Sequence, residues 1–186
     1  MTNHQRRLLD LLKQHGFRKG TFTLASGKES DFYIDVRSVA LSSEGHWLFG
    51  RVLMDRILEM PRVKAVAGVE LGGCPLVSAV SYYGFEKSKL PALYVRKTPK
   101  GHGLKKLVEA PYGLSEGSKV VLVEDVVTSG GSSLRAIQSL TEAGFKVVGL
   151  IVVVDRKEGG LEAIKEAHPE LVVASLFTRY DFIPEA

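Results

Sequence analysis

The sequence predicts an α/β protein built on an open, mostly parallel sheet flanked by helices. Three observations carry this. Ala65–Val69, Ala92–Val95, 120–123 and 147–154 are near-continuous apolar runs of strand length, the pattern of parallel strands buried on both faces. Helical patterns lie between them, and strand alternating with helix builds an open α/β sheet. Each of the four runs ends in a polar or glycine-rich segment, and such sheets bind ligands at the carboxyl ends of their strands.

The elements follow in order. Residues 4–15 read as a helix with Leu8, Leu9, Leu11 and Leu12 on one apolar face and Gly16 as its stop. Residues 21–24 and 32–36 read as short strands around a turn at Ser26-Gly27-Lys28. Ser42 or Ser43 caps a helix that runs to about Met60. Residues 75–83 and 132–143 supply helices between core strands, the second ending at Gly144, and residues 160–167 supply a further short one. There is no internal repeat and no low-complexity segment. The expectation is a single domain over residues 1–186, with a helix and strand pair in 1–40 and the core sheet in 62–157.

Composition narrows the function classes. The chain has 186 residues, 45% hydrophobic and 25% charged, which suits one soluble globular domain with a sizeable core. No apolar run is long enough to span a bilayer, and the polar first residues lack a signal-peptide apolar region, so a cytoplasmic protein with no membrane partner is expected. Cys74 is the only cysteine, which excludes a disulfide framework; it reads as a small buried residue rather than a reactive thiol. The net charge of +4 falls short of the basic stripe of a nucleic-acid binder. Five histidines show no metal-ligand spacing, so no protein metal site is expected.

Thr128-Ser129-Gly130-Gly131-Ser132 lies just before a predicted helix. Glycines let the backbone curl so that N–H groups point inward, the helix N-terminus adds partial positive charge, and the hydroxyls add donors, which together make a phosphate cradle. Alone, the segment reads equally well as a capped helix start. No Gly-Lys-Ser/Thr follows, which excludes a nucleotide-hydrolase P-loop, and no Gly-x-Gly-x-x-Gly follows a strand. Glu124-Asp125 shifts the balance. Two adjacent carboxylates at a strand end are costly near a sheet core unless something binds them. A ribose diol suits them, because carboxylates accept both hydroxyl protons. Phosphate at one end and diol at the other measure out a ribose 5-phosphate. The alternative is a pair of solvated loop acids.

Arg96, Lys97, Lys100, Lys105 and Lys106 fall in one stretch, with Gly101 and Gly103 flanking His102. This predicts a mobile cationic loop able to close over a polyanion and stabilise a leaving group. The alternative is a solvated basic loop; nucleic-acid binding is disfavoured because no aromatics interleave the cations. Phe32 and Tyr33 could stack on a flat base and Lys28 could meet an anionic substituent, although such aromatics are more often core and such a lysine more often surface. Arg156 draws notice only because it follows a buried strand.

Residues 121–132, Val-Leu-Val-Glu-Asp-Val-Val-Thr-Ser-Gly-Gly-Ser, resemble the phosphoribosyl-diphosphate motif of type I phosphoribosyltransferases. Three further segments are similar to the orotate phosphoribosyltransferase subgroup: residues 22–28 with Phe32-Tyr33, residues 94–103, and residues 154–158. The resemblance implies the type I phosphoribosyltransferase fold with a small N-terminal hood that binds the base. It implies transfer of ribose 5-phosphate from 5-phospho-α-D-ribose 1-diphosphate to orotate, with Mg²⁺ carried mainly by the substrate. Glu124 and Asp125 would hold the ribose hydroxyls, and Val126, Val127, Thr128, Ser129, Gly130, Gly131 and Ser132 would line the phosphate end. Arg96, Lys97, Lys100 and His102 would contact the diphosphate, with Lys100, His102 and Asp125 the catalytic candidates. Lys28, Phe32, Tyr33, Thr128 and Arg156 would surround orotate. A homodimer with shared sites is implied. Many relatives place a lysine in the loop after the first core strand; here Leu71, Gly72 and Gly73 supply none, so backbone N–H groups are expected to meet the diphosphate.

Two rivals stand beside this. A phosphoribosyltransferase for a purine has less need of both Lys28 and Arg156. A regulator that senses phosphoribosyl diphosphate and binds nucleic acid needs a second binding surface, and the short first helix is too little for a helix-turn-helix module.

Overall fold

Apolar runs become strands where both faces can be covered, and the core shows this directly. A computed structural model describes residues 1–23, 29–60, 62–98 and 106–183. Six strands lie in the order β5-β4-β3-β6-β7-β8: β3 (Ala65–Val69), β4 (Ala92–Val95), β5 (Val108–Glu109), β6 (Lys119–Val127), β7 (Lys146–Asp155) and β8 (Val172–Thr178). All neighbours are parallel except β4 and β5. Side chains alternate between two apolar layers. Val66, Val121, Val123, Ile151 and Val153 face a layer that includes α1 (Asn3–Leu11), α3 (Ser43–Ile57) and α4 (Gly73–Tyr83). Ala67, Leu122, Leu150 and Val152 face a layer that includes α5 (Gly131–Glu142) and α6 (Gly160–Ala167). The parallel strands carry apolar residues on successive positions because helices bury both sheet faces.

At the N-terminus, Thr2 and Gln5 form a reciprocal cap on α1. Leu8, Leu9, Leu11 and Leu12 are buried as predicted, but the α-helix stops at Leu11 and continues as a π-helical turn through Gly16. Then come two antiparallel strands, β1 (Phe17–Thr23) and β2 (Glu29–Ile34), which form a sheet of their own, and the short helix α2 (Arg37–Ala40). Ser42 caps α3, accepting from Gly45 N.

Several boundaries differ from expectation, and those that bear on the site are these. The first hood strand begins four residues early, at Phe17, and the second runs Glu29–Ile34 rather than 32–36. Strand β6 does not stop at Val123: its ladder with β7 continues to Val127, paired with Asp155. The core sheet also extends past residue 157, since β8 adds an edge strand at 172–178. Strand β8 is mostly half-buried and has no clean two-residue alternation, so its periodic signal is weak.

Candidate active site

The carboxyl ends of β3, β4, β6 and β7 release four segments at one edge of the sheet: residues 70–72, 96–98, 128–130 and 156–159. Lys28, Lys100 and His102 lie outside the described residues.

Because β6 runs on, Glu124 and Asp125 sit within the strand rather than in a loop. Glu124 is buried, and its Oε2 finds no hydrogen-bond partner among the described residues. Burial, reinforced by the Asp125 charge and opposed by Lys97, pushes the Glu124 carboxyl up to about 8. Burial also raises Asp125, opposed by the Val126 N–H it accepts at 2.9 Å and by the charges of Arg37 and Lys97. These are not solvated acids. They are desolvated acceptors, costly to hold unless a ligand donates to them.

The β3–α4 loop lies against Asp125. A Cβ on Gly72 would stand 1.8 Å from Asp125 Oδ2, so only glycine allows this approach. A Cβ on Gly73 would meet Gly68 Cα at 2.9 Å, which keeps the loop folded back on β3. Leu71 is exposed, and the Glu70–Leu71 peptide is cis. Glu70 ties this loop to the cationic segment by accepting from Lys97 N at 2.7 Å. Lys97 is exposed, whereas Arg96 leans toward β5, with Nη1 3.7 Å from Glu109 Oε1.

The glycine-rich turn delivers the chain into α5 as predicted. Gly130 holds φ +81°, and its amide side packs against α6: a Cβ on Gly160 would meet Thr128 O at 2.3 Å and Gly130 N at 2.8 Å. Val126 and Val127 are strand residues, Val127 with a buried side chain, so Val127 can reach a ligand only through its backbone. Ser129 is exposed, and Thr128, Gly131 and Ser132 are half-buried beside the N-terminus of α5. Arg135 bends back so that its Nη2 is 3.4 Å from Ser132 Oγ.

The proposed base end differs in one respect from the sequence reading. Phe32 was expected to offer a ring face to a base, but it is fully buried, and the Arg156 guanidinium lies 4.0 Å from its centroid. The reason is packing: Phe32 points inward into the α1–α3 layer, and its ring becomes a floor for the arginine. Tyr33, on the opposite face of β2, is partly exposed and packs against Phe22 at 5.6 Å between centroids. Arg156 itself is only 3% exposed and donates to Glu158 and Ser30. Ser30, Arg37, Arg135, Glu158 and Arg179 join the site without having been singled out by residue type; Arg179 stands 5.4 Å from the Phe32 centroid and 3.6 Å from Asp31. Ser30 and Phe32 share a strand period, which is the one signal that could have linked them.

Residues 54–169 match the model of the phosphoribosyl transferase domain family. The chain is 50% identical over 184 residues to the orotate phosphoribosyltransferase of Sorangium cellulosum, covering 98% of this chain and 95% of that protein. Its fold is similar to that of Mycobacterium tuberculosis orotate phosphoribosyltransferase in complex with Fe(III) dicitrate, with a TM-score of 0.81, 32% identity, and coverage of 97% and 99%. The same protein in complex with 5-phospho-alpha-D-ribosyl 1-diphosphate gives a TM-score of 0.77 at 29% identity, covering 96% of this chain and 98% of that one.

Proposed function

The chain belongs to the phosphoribosyl transferase family, and from that premise we propose that it acts on orotate. The reaction joins orotate to 5-phospho-α-D-ribose 1-diphosphate and yields orotidine 5′-monophosphate and diphosphate, a step of pyrimidine biosynthesis. The observation that carries this reading is the run from Glu124 to Ser132. Two desolvated carboxylates, a positive-φ glycine turn and a helix N-terminus stand in series, spaced for the diol and phosphate of one ribose 5-phosphate.

Each group has a task in this reading. Glu124 and Asp125 accept from the ribose hydroxyls, which satisfies Glu124 Oε2. Thr128 to Ser132 hold the 5′-phosphate through backbone N–H groups and hydroxyls. Gly72 and Gly73 bring backbone to the diphosphate, and Arg96, Lys97, Lys100 and His102 meet its charge. Arg156, Tyr33, Thr128 and Lys28 receive orotate, with Phe32 beneath the arginine. Carbon 1 exchanges its bond to diphosphate for one to a ring nitrogen of orotate, and the proton of that nitrogen passes to the departing diphosphate or to solvent. Positive charge grows on the sugar and negative charge on the departing diphosphate, and fixed cations stabilise the second.

Among the described residues no three His, Cys, Asp or Glu side chains group to hold a metal ion. The donor set fits a Mg²⁺ that would arrive on the diphosphate, with the Asp125 carboxylate against Gly72 as an acidic group beside that loop. When bound, the ion supplies charge neutralisation on the leaving group. No helix among the described residues is long and apolar enough to cross a membrane, which is in keeping with a cytoplasmic enzyme.

Diphosphate release from a mixture of protein, orotate, 5-phospho-α-D-ribose 1-diphosphate and Mg²⁺ tests the function. Turnover with adenine, guanine or xanthine in place of orotate would move the assignment to a purine enzyme. No turnover together with tight nucleic-acid binding would replace the enzyme by a regulator. The working unit is a homodimer in which a loop completes the partner's site. Mixing Lys100→Ala with Asp125→Asn under subunit exchange should then restore about one quarter of wild-type activity, because about half the dimers are mixed and each holds one intact site. With exchange confirmed by native mass spectrometry, absent recovery rejects the shared site.

A further inference from the structure

We propose that Ser30 and Glu158 are positioning residues that hold the Arg156 guanidinium in one orientation for orotate, which makes the hood strand β2 part of base selection. The inference rests on the reading of Arg156 as an orotate contact.

Three supports meet on one side chain. Glu158 Oε1 accepts from Nε at 2.7 Å, Ser30 Oγ accepts from Nη2, and the Phe32 ring lies 4.0 Å beneath Cζ. Each support is itself fixed. Ser30 Oγ donates its only proton to Phe32 O at 2.8 Å and takes the Phe32 N–H at 3.3 Å, so its remaining lone pair is what Arg156 meets. Its hydroxyl is saturated and cannot rotate away without losing a bond. Glu158 reaches back over two residues because Lys157 holds φ +58° while its N–H bonds Asp155 Oδ1 at 2.8 Å. Asp155, fully buried, also pairs with Lys157 Nζ at 3.0 Å, which locks the turn.

The clamp has a chemical consequence. Arg156 has five N–H donors, and Glu158 and Ser30 occupy two, leaving about three for a ligand. Glu158 also cancels its charge locally. Arg156 therefore recognises the base by the placement of its donors rather than by net charge. Ser30 lies in the hood and Arg156 at the end of β7, so hood and core must be joined for the donors to be aimed.

Steady-state kinetics of the full chain, varying orotate and 5-phospho-α-D-ribose 1-diphosphate separately, test this. Ser30→Ala and Glu158→Ala should each raise the KM for orotate about tenfold, the scale of a hydrogen bond to a charged group, and leave the KM for the phosphoribosyl donor within about twofold. Glu158→Gln, whose amide oxygen still accepts from Nε, should recover most of the loss. In an Arg156→Ala background, Ser30→Ala should add nearly nothing, because its effect passes through the arginine. Equal rises in both KM values, or full additivity with Arg156→Ala, would make the clamp merely structural and overturn the proposal. If one variant fails to fold, the other carries the same test. Arg156→Ala with unchanged orotate KM rejects the base-site assignment instead, and a wild type that never consumes orotate rejects the function.

Discussion

Gly72→Ala isolates one contact. Gly72 sits at φ −63° and ψ −37°, helical values that any residue adopts, so alanine meets no backbone penalty there. Its Cβ, however, would stand 1.8 Å from Asp125 Oδ2 and 2.3 Å from Cγ. Ordinary contact begins near 3.4 Å, so the two groups must separate by about 1.6 Å (3.4 minus 1.8). Asp125 is held in β6 by the sheet and by the Val126 N–H, and the loop by Glu70 and Gly68, so neither moves freely. A misplacement of about 1 Å at a reacting centre costs about 10²-fold, which sets the expected fall in kcat/KM for the phosphoribosyl donor. Overpacking adds a stability loss of about 1–3 kcal/mol. Chemical denaturation supplies the control: Asp125→Ala removes the colliding atoms, so in that background Gly72→Ala should cost little stability. Activity of Gly72→Ala within about fivefold of wild type, or a stability cost unchanged by Asp125→Ala, would refute the geometry and with it the contact between the β3–α4 loop and Asp125.

Glu124 predicts a pH dependence. Its folded pKa of about 8 lies above the ordinary 4.5, so its contribution to stability is full below the unfolded value and is lost as pH rises through about 8. The swing is a few kcal/mol, and Glu124→Gln should raise Tm above pH 8 more than near pH 4.5; parallel Tm curves would show that the acid is not desolvated. Gly160→Ala puts a Cβ 2.3 Å from Thr128 O and should lower stability by about 1–3 kcal/mol while raising the Kd of inorganic phosphate, measured by calorimetry. An unchanged phosphate Kd would mean that α6 does not set the cradle.

Much of this site was legible because its signals are local. Strands β3 and β4 and helix α6 match their predicted bounds, since apolar runs end sharply at polar or glycine residues. The glycine turn into α5 was legible because glycines before a helix carry a backbone meaning. What was hidden depends on distant neighbours. Glu124 and Asp125 look like loop residues, yet β7 continues the ladder past them. Phe32 reads as an aromatic near a base, but its burial is decided by the α1–α3 layer and by an arginine that follows β7. Ser30 is an ordinary residue type whose partner, Arg156, lies far along the chain, and Arg37, paired locally with Asp35, also feels the distant charge of Asp125. Strand β8 gave no period because an edge strand is only partly covered.

Strand β7 carries a consequence for biosynthesis. Its residues 147–154 are apolar except for Gly149, contain no proline and no charge, and are bordered by β6 on one side and β8 on the other. A ribosome adding about 5–20 residues per second completes β7 before β8, and the 23 residues from Asp155 to Thr178 take about one to five seconds. During that time the outer edge of β7 is an unpaired β-rich segment of the kind that templates aggregates. Helix α6 comes off first and can screen a face of the sheet, but only β8 satisfies the edge. A chaperone that holds extended apolar chain has its natural moment here. A message truncated between α6 and β8 should therefore give inclusion bodies rather than a weakened soluble enzyme.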